Sequence, residues 1–279
     1  FYQLARAFAD GRKGFFTQDY SPHVLDIIDD IKHGKNDTYT LMLFEALAFG
    51  SMISVPYGSW LLNYAKEAFW PDLKWDRKLG DWQQSHEKLF SGRQVGSLAV
   101  VYDRRAAFEV SEFQSGYTDD PKVAGFRLFN QILRYLCQEG ILFRVLYADE
   151  VNPLTEERLQ GFGTILIPDG TMLPKADQDA LKAAAGRGAR VAAIGKVAPG
   201  MMDYVYRYRK VFEFTGWAKE EPSLLAPVKT PKDYSITVDE IEEGYVLHLV
   251  NYRLNTITRR IEDLPPVAFR LSFTPSAVE

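Results

Sequence analysis

The middle of the chain carries four short, continuous apolar segments separated by helical patterns, and this alternation constrains the fold more than any other feature. The segments are residues 95–102, 141–147, 163–168 and 190–194. Continuous apolar runs of this length are typical of strands that are covered on both faces. Strands that alternate with helices form parallel sheets with crossover connections. The sequence therefore predicts an open, doubly wound parallel sheet.

Residues 1–92 alternate in the same way but contain only two strand-like segments. The pattern predicts a strand over 14–17, a helix over 38–49 that ends at Gly50, and a second strand over 52–55. Two strands do not form a stable sheet alone, so this part is predicted to be the end of a larger barrel or sheet. The chain also begins without a methionine, and we expect it to be a piece of a longer protein.

From about residue 205 the apolar period changes to two, which is typical of antiparallel strands. Residues 234–238 and 245–250 are predicted to pair as a hairpin, with a further strand over 269–273. The sequence thus predicts three domains. They are the end of a barrel over 1–92, a doubly wound α/β domain over 93–204 and a small all-β domain over 205–279.

Composition argues against several classes of partner. Lys and Arg total 33 and Asp and Glu total 37, so the net charge of -4 leaves no electrostatic footprint for nucleic acid or an anionic membrane. No apolar stretch approaches the roughly 18–20 residues of a membrane span. Cys137 is the single cysteine and the four histidines are scattered, so we expect neither a metal site nor a cofactor. The compartment is left open.

Three segments resemble one family of enzymes. They are LFEALAFG over residues 43–50, the long segment from ILFRVLYADE to RGARVAAIG over 141–195, and HLVNY over 248–252. Together they resemble family 42 type β-galactosidases and related bacterial glycoside hydrolases. The resemblance implies the C-terminal end of a (β/α)8 barrel, then a flavodoxin-like or amidotransferase-like trimerisation domain, then a small β domain. It makes residues 14–17 and 52–55 the seventh and eighth barrel strands.

The candidate site is formed by the residues that follow these two strands, since barrel enzymes build their active sites at the C-terminal ends of the strands. Retaining glycosidases need a carboxylate nucleophile and a second carboxyl group as acid/base. The resemblance places a Glu nucleophile after strand seven, whereas this sequence has Gln18 followed by Asp19. Asp19 is therefore the predicted nucleophile. The alternative is that Asp19 only caps the turn that follows.

Gln18, Tyr20, Tyr57 and Trp60 are the predicted substrate-binding residues. Tyr57 and Trp60 carry rings of the kind that stacks on the apolar face of a pyranose. The alternative for each is an aromatic of the core or of an interface. The resemblance places the acid/base carboxyl group on the fourth barrel strand, upstream of Phe1.

Other candidate sites are predicted to be structural. The turn over 167–171 has neither the Cys nor the Ser of an amidotransferase elbow. Arg104 and Arg105 are expected to be solvated or to contact another subunit. Glu45 is expected to be a buried structural carboxylate, paired across the barrel bottom or to a loop amide, and His248 a satisfied sheet residue.

The sequence thus predicts a glycoside hydrolase, similar to β-galactosidases, that cleaves terminal glycosidic bonds of oligosaccharides or glycans. Its expected partners are a carbohydrate substrate and, by resemblance, further copies in a trimer, with residues 108–117 as a candidate contact. Neither nucleic acid nor a membrane is expected as a partner. The alternative is a non-catalytic relative that keeps the scaffold for glycan binding or assembly without a working carboxylate pair. Gln18 beside Asp19 motivates this alternative.

Overall fold

A computed structural model describes most of the chain, which forms two compact units. The first unit comprises Phe1–Gln94 and Asp233–Pro266, and the second comprises Val95–Lys232 and Val267–Glu279. Both units contain helices and strands. The described residues are 2–9, 14–17, 29–30, 33–54, 73–107, 124–219, 225–229 and 233–271.

The elements of the described residues are numbered in chain order. The helices are α1 (Tyr2–Phe8), α2 (Asp37–Ala48), α3 (Leu73–Ser85), α4 (Arg104–Ala107), α5 (Ala124–Gln138), α6 (Lys175–Gly186) and α7 (Val211–Ala218). The strands are β1 (Gly14–Thr17), β2 (Ser51–Ser54), β3 (Arg93–Gln94), β4 (Leu98–Asp103), β5 (Phe143–Ala148), β6 (Thr164–Ile167), β7 (Arg190–Ala193), β8 (Tyr206–Arg207), β9 (Leu225–Lys229), β10 (Tyr234–Ile241), β11 (Gly244–Asn251), β12 (Leu254–Asn255), β13 (Arg260–Ile261) and β14 (Ala268–Leu271).

In the first unit, β1 and β2 are parallel neighbours. They are in register from Gly14 opposite Ser51 to Thr17 opposite Ser54. Parallel strands need a long crossover connection, and α2 lies in the one between them. This strand, helix, strand order agrees with the order predicted for this segment.

A tight turn at Gly50 joins α2 to β2. The helix ends where the Phe49 N–H donates to the carbonyl oxygen of Glu45 at 3.0 Å, and Gly50 then takes a φ of 70°. A Cβ atom at Gly50 would lie 2.7 Å from side-chain atoms of Arg6. Positive φ and the close approach of Arg6 together explain why glycine occupies this position.

The hairpin of β10 and β11 is antiparallel. Its register runs from Tyr234 opposite Asn251 to Ile241 opposite Gly244, which leaves a two-residue turn over 242–243. Two-residue loops suit the twist of such hairpins, and glycine accommodates the φ of 147° at position 244. The predicted hairpin is therefore present, and β10 extends beyond the predicted residue 238.

The hairpin belongs to the first unit. Thr237 Oγ1 donates to the carbonyl oxygen of Ala48 at 2.7 Å, and β3 extends the sheet beside β10. The sequence assigned this hairpin to a C-terminal domain over 205–279, whereas its contacts group it with residues 1–94. β9 and β14, which pair with each other, lie in the second unit.

The second unit is built on a five-stranded sheet in the order β5-β4-β6-β7-β8, and every pair in it is parallel. Its central strands are buried on both faces, which accounts for their continuous apolar sequences. The core residues Val100, Ile165, Leu166 and Val191 have no exposed surface. The predicted parallel sheet is confirmed, and β8 is an edge strand that the sequence pattern did not predict. In the described part of the chain, no helix combines the length and apolarity needed to cross a bilayer.

Candidate functional site

The candidate site lies at the carboxyl edge of β1 and β2. Because Thr17 is opposite Ser54, the two parallel strands end level with each other. In the sequence, Gln18 follows Thr17 directly, and Tyr57 comes three positions after Ser54. The five residues predicted for catalysis and substrate binding lie outside the described residues. They are Gln18, Asp19, Tyr20, Tyr57 and Trp60.

The opposite, amino-terminal end of β2 is fixed by α1. Ser51 Oγ donates to the carbonyl oxygen of Tyr2 at 3.2 Å, and the side chain of Arg6 packs over Gly50. Arg6 also donates to the buried carboxylate of Asp239 and, through Nη2, to the carbonyl oxygen of Gly92 at 2.6 Å. These contacts lie at the end of β2 opposite the candidate edge. They fix the position of the strand, which is a structural role for Arg6 and Ser51.

His248 lies beside the Arg6–Asp239 pair on β11. Its Nε2 is 3.8 Å from Oδ2 of Asp239 and has no hydrogen-bond partner in the described part of the chain. Its ring stacks on Phe90 with centroids 5.2 Å apart. Burial lowers the pKa of His248, so the ring is neutral near pH 7. His248 is a sheet residue, as predicted, but its Nε2 is not satisfied by a described partner.

Glu45 has a structural partner. It lies on α2, half-buried, and accepts a hydrogen bond from the hydroxyl of Tyr252 at 2.7 Å. Burial raises the pKa of Glu45, and the Tyr252 bond acts in the opposite direction. The sequence predicted a structural carboxylate paired across the barrel bottom or to a loop amide. The observed partner is instead the tyrosine that ends the HLVNY segment.

The second unit has its own polar cluster at the carboxyl edge of β4. Arg105 donates through Nε to Oδ1 of Asp103 at 2.6 Å and through Nη2 to Oδ2 of Asp177 at 2.8 Å. Both carboxylates are buried, and the Arg105 side chain is only 10% exposed. Arg104 is exposed as expected, but the prediction that Arg105 is solvated or contacts another subunit is wrong, because the two carboxylates enclose it.

This edge of the second sheet is where open α/β folds commonly bind ligands, because β4 lies at the topological switch point. The cavity beside Asp103, which Tyr102, Phe129 and Asp169 also line, has a volume of only about 10 Å³. That is room for about one water molecule. Among the described residues, this cavity leaves no room for a substrate beside the cluster.

A turn at the end of β5 is held by Asp149. Its carboxylate accepts hydrogen bonds from the hydroxyl of Tyr147 at 2.8 Å and from the backbone N–H groups of Val151 and Asn152. Burial acts to raise the pKa of Asp149, but the bonds from Asn152 and Tyr147 outweigh it and lower the pKa to about 2. Burial and Asp149 raise the pKa of Tyr147 to about 12. Neither group exchanges protons near neutral pH, which fits a structural turn.

The first unit also contains a larger apolar groove, of about 570 Å³. One wall is α2, with Leu41 and Phe44, and another is formed by Trp82 and Phe90. The third is β11, over residues 246–251. Nothing in the sequence pattern indicated this groove, because it joins segments far apart in the chain. In the described residues, no cluster of three or more His, Cys, Asp or Glu side chains could hold a metal ion.

No protein-family model matches the sequence, and no curated protein matches it. Among solved structures, the chain is similar to the β-galactosidase of the psychrophilic Marinomonas ef1, with 12% identity and a TM-score of 0.47 over 89% of this chain and 39% of that chain. The β-galactosidase of Bacillus circulans sp. alkalophilus gives 10% identity and 0.47 over 90% of this chain and 44% of that chain.

A third similar structure is α-L-fucosidase isoenzyme 2 from Paenibacillus thiaminolyticus, with 13% identity and a TM-score of 0.42 over 90% of this chain and 34% of that chain. The chain thus spans less than half the length of each of these proteins. β-Galactosidases are also the class that the sequence resembles.

Proposed function

We propose that this chain is the C-terminal part of a glycoside hydrolase similar to β-galactosidases, which cleaves terminal glycosidic bonds of oligosaccharides or glycans. One observation carries the proposal: β1 and β2 are parallel, in register and end level, with Thr17 opposite Ser54. Neighbouring strands lie about 4.8 Å apart, so chain segments that leave a level edge start close together. The segments that leave this edge contain the five predicted site residues.

In this proposal β1 and β2 are the last two strands of a (β/α)8 barrel. α2 lies in the crossover between them, and in the sequence the candidate residues follow the carboxyl ends of the two strands, which is where barrel enzymes build their sites. The order β5-β4-β6-β7-β8 supports a flavodoxin-like second domain, which extends past the predicted bound of residue 204 to include β8. The β10–β11 hairpin would be the part of the family's small β domain that groups with residues 1–94.

Asp19 is the proposed nucleophile. It would attack the anomeric carbon while the acid/base carboxyl group, which the resemblance places on an upstream strand, protonates the leaving oxygen. Retaining enzymes hold two such carboxyl groups about 5–5.5 Å apart. Gln18, Tyr20, Tyr57 and Trp60 would bind the sugar, the aromatic rings by stacking on its apolar face. A carbohydrate substrate is therefore the proposed partner, with assembly as a trimer by resemblance.

The test is kinetic and uses the full-length protein that carries this chain. Asp19→Asn should lower kcat for an aryl β-galactoside by several orders of magnitude, since a carboxamide does not form the glycosyl-enzyme intermediate. Asp19→Gly with added azide should recover turnover and release a glycosyl azide, which a purely structural role would not produce. Asp81→Asn, on the exposed face of α3, is the matched control and should keep normal turnover.

The alternative remains a non-catalytic relative that binds or assembles on glycans. The observation that favours it is Gln18-Asp19 where the family carries Glu. It predicts that the full-length protein binds a galactoside without turning it over. In that case Trp60→Ala weakens binding, and Asp19→Asn changes no rate.

A further inference from the structure

The strand order of the second unit sets a crevice at the carboxyl edge of its sheet. In the order β5-β4-β6-β7-β8, the chain passes from β4 to its neighbour β5 on one side, and from β6 to its neighbour β7 on the other side. The connections that leave β4 and β6 therefore diverge, and folds of this type bind ligands in the space between them. α4 directly follows β4, and α6 lies in the connection between β6 and β7.

Arg105 joins these two connections. It lies on α4, and its Nη2 donates to Oδ2 of Asp177, in the first turn of α6, at 2.8 Å. Its Nε and its backbone N–H donate to Oδ1 of Asp103, at the end of β4, at 2.6 and 3.1 Å. The cluster of Asp103, Arg105 and Asp177 thus spans the crevice between the two connections.

The charges in this cluster do not balance. Both carboxyl groups are buried, and they share one guanidinium group, so two ionised carboxylates would leave a net negative charge inside the protein. Among the described residues, none donates a hydrogen bond to Oδ2 of Asp103 or to Oδ1 of Asp177. Burying an uncompensated charge is costly, and a carboxyl group in such a site takes up a proton instead. We therefore expect the cluster to retain one proton.

The surroundings of the two carboxyl groups favour Asp103 as the group that holds this proton. Asp177 lies near the N-terminus of a twelve-residue helix, where the helix dipole stabilises a negative charge. Asp103 lines the small cavity of about 10 Å³, where one water molecule would accept a hydrogen bond from a protonated Oδ2. Burial raises the pKa of Asp103, the Asp177 charge adds to the rise, and Arg105 opposes it.

Few other charged or titratable groups of the described residues face Asp103. Tyr102 precedes it on β4, and Asp169, which follows β6, lines the same cavity. Arg104 is exposed and acts on Tyr102. Within the described part of the chain, Arg105 is thus the one cation that bonds to Asp103.

We infer that Asp103, Arg105 and Asp177 form a proton-controlled latch across this crevice, which is closed when Asp103 holds a proton and weakened when Asp103 ionises. With Asp103 neutral, the full charge of Arg105 is available to Asp177. With Asp103 ionised, the two carboxylates repel each other and compete for one guanidinium group. The contact between Arg105 and Asp177 then weakens, and it is this contact that joins the two sides of the crevice.

The direction of the pH dependence follows from the position of the proton. A carboxyl group whose pKa is higher in the closed state than in the open state stabilises the closed state at low pH. This stabilisation is complete below the ordinary pKa of 3.8 and is lost as pH rises through the pKa of the closed state. The latch therefore opens toward alkaline pH. The inference does not depend on the proposed hydrolase activity, because it involves neither Asp19 nor the other proposed site residues.

Hydrogen exchange at two amides tests the latch. The Arg105 N–H donates to Asp103, and the Gln178 N–H donates to the carbonyl oxygen of Pro174 at the start of α6. Their protection factors, which correct for the intrinsic pH dependence of exchange, are compared from about pH 5 to about pH 8. Protection should fall as pH rises, by at most about tenfold per pH unit, since one proton is involved.

Two variants separate the latch from general effects of pH. Asp103→Asn keeps an oxygen that accepts from Arg105 but does not ionise, so protection of both amides should stay high across the range. Asp179→Asn is the matched control, because it lies on the same helix in an exposed pair with Lys175. It should show the same fall in protection as the native protein.

A titration of the native protein supplies a readout that does not depend on variants. The carboxyl carbon of Asp103, followed by NMR, should report a proton that is retained above pH 3.8, where an ordinary aspartate ionises. The inference is overturned if Asp103 titrates at or below that value, or if protection of the two amides does not change with pH. It is also overturned if Asp103→Asn shows the same fall in protection as Asp179→Asn.

Discussion

Arg6 and Asp239 are 233 positions apart in the chain, yet Nη1 of Arg6 donates to both carboxylate oxygens of Asp239, at 3.0 and 3.3 Å. The Arg6 side chain is 6% exposed and that of Asp239 is fully buried. Burial raises the pKa of Asp239, and the Arg6 charge opposes that rise. The pair ties α1 to the hairpin, and through Gly92 to the chain that enters β3.

Breaking this pair should destabilise the first unit strongly. Arg6→Gln leaves Asp239 buried without a counter-charge, which costs about 3–5 kcal/mol in comparable sites. The double variant R6Q/D239N buries no charge and should recover part of that loss. Hydrogen exchange of the β10 amides in denaturant reports the free energy of opening this unit.

The matched control is Arg93→Gln, which removes an exposed ion pair with Glu240 on the same sheet. Exposed pairs contribute about 0–1 kcal/mol, so the control should change the opening free energy little. Equal losses in R6Q and R93Q would contradict a special role for the buried pair.

The first unit should lose stability as pH falls below neutral. The pKa of His248 in the folded state lies below its ordinary value of 6.5, because burial disfavours the charged ring; the Arg6 charge acts in the same direction and the Asp239 charge opposes it. As pH falls through 6.5, the unfolded chain binds a proton that the folded chain does not. The stability present above pH 6.5 is therefore lost as pH falls toward the folded pKa, with a slope of at most about 1.4 kcal/mol per pH unit.

The His248→Phe variant tests this claim. It keeps an aromatic ring against Phe90 but removes the titrating group, so the slope attributable to His248 should vanish. The quantity to compare is the difference in opening free energy between native chain and variant at each pH, because contributions of other groups largely cancel in it. A difference that is constant below pH 6.5 would show that His248 does not titrate as described.

Gly50 should be far less tolerant of alanine than Gly34. The two have nearly equal φ values, 70° and 69°, so the backbone cost of a side chain is about 1–2 kcal/mol at both. A Cβ at Gly34 meets nothing within 4 Å, whereas one at Gly50 would lie 2.7 Å from Arg6. Gly50→Ala should therefore cost clearly more than Gly34→Ala in urea unfolding, because it also displaces the Arg6–Asp239 pair. Similar losses in the two variants would contradict this.

Local patterns predicted the elements of the fold better than they predicted its long-range contacts. The strands of the second unit were visible because burial on both faces leaves continuous apolar sequence, as in Leu98–Asp103. The hairpin could be predicted because apolar residues recur at every second position on both sides of Gly244. Its association with residues 1–94 was not, because neither Asp239 nor Thr237 signals in sequence which helix it will meet.

Charged residues were the least predictable part. Arg105 was expected in solvent or at a subunit contact because arginine is seldom enclosed, and nothing near it in the sequence reveals Asp177, which completes its burial. Arg6 carried one weak signal, since it is a lone charge within the otherwise apolar and polar-neutral helix α1. In the sequence, the proposed site residues come directly after the two predicted strands, which β1 and β2 confirm. The roles of these residues stay a prediction.

The most direct test of the central claim is to trap the proposed covalent intermediate. The full-length protein is incubated with an activated 2-deoxy-2-fluoro-galactoside, which slows hydrolysis of a glycosyl-enzyme, and the labelled peptide is mapped by mass spectrometry. If Asp19 is the nucleophile, one sugar per chain is attached to Asp19 in the peptide that follows β1, and Asp19→Asn carries no label. Attachment to another carboxylate, or label that persists in Asp19→Asn, would contradict this role.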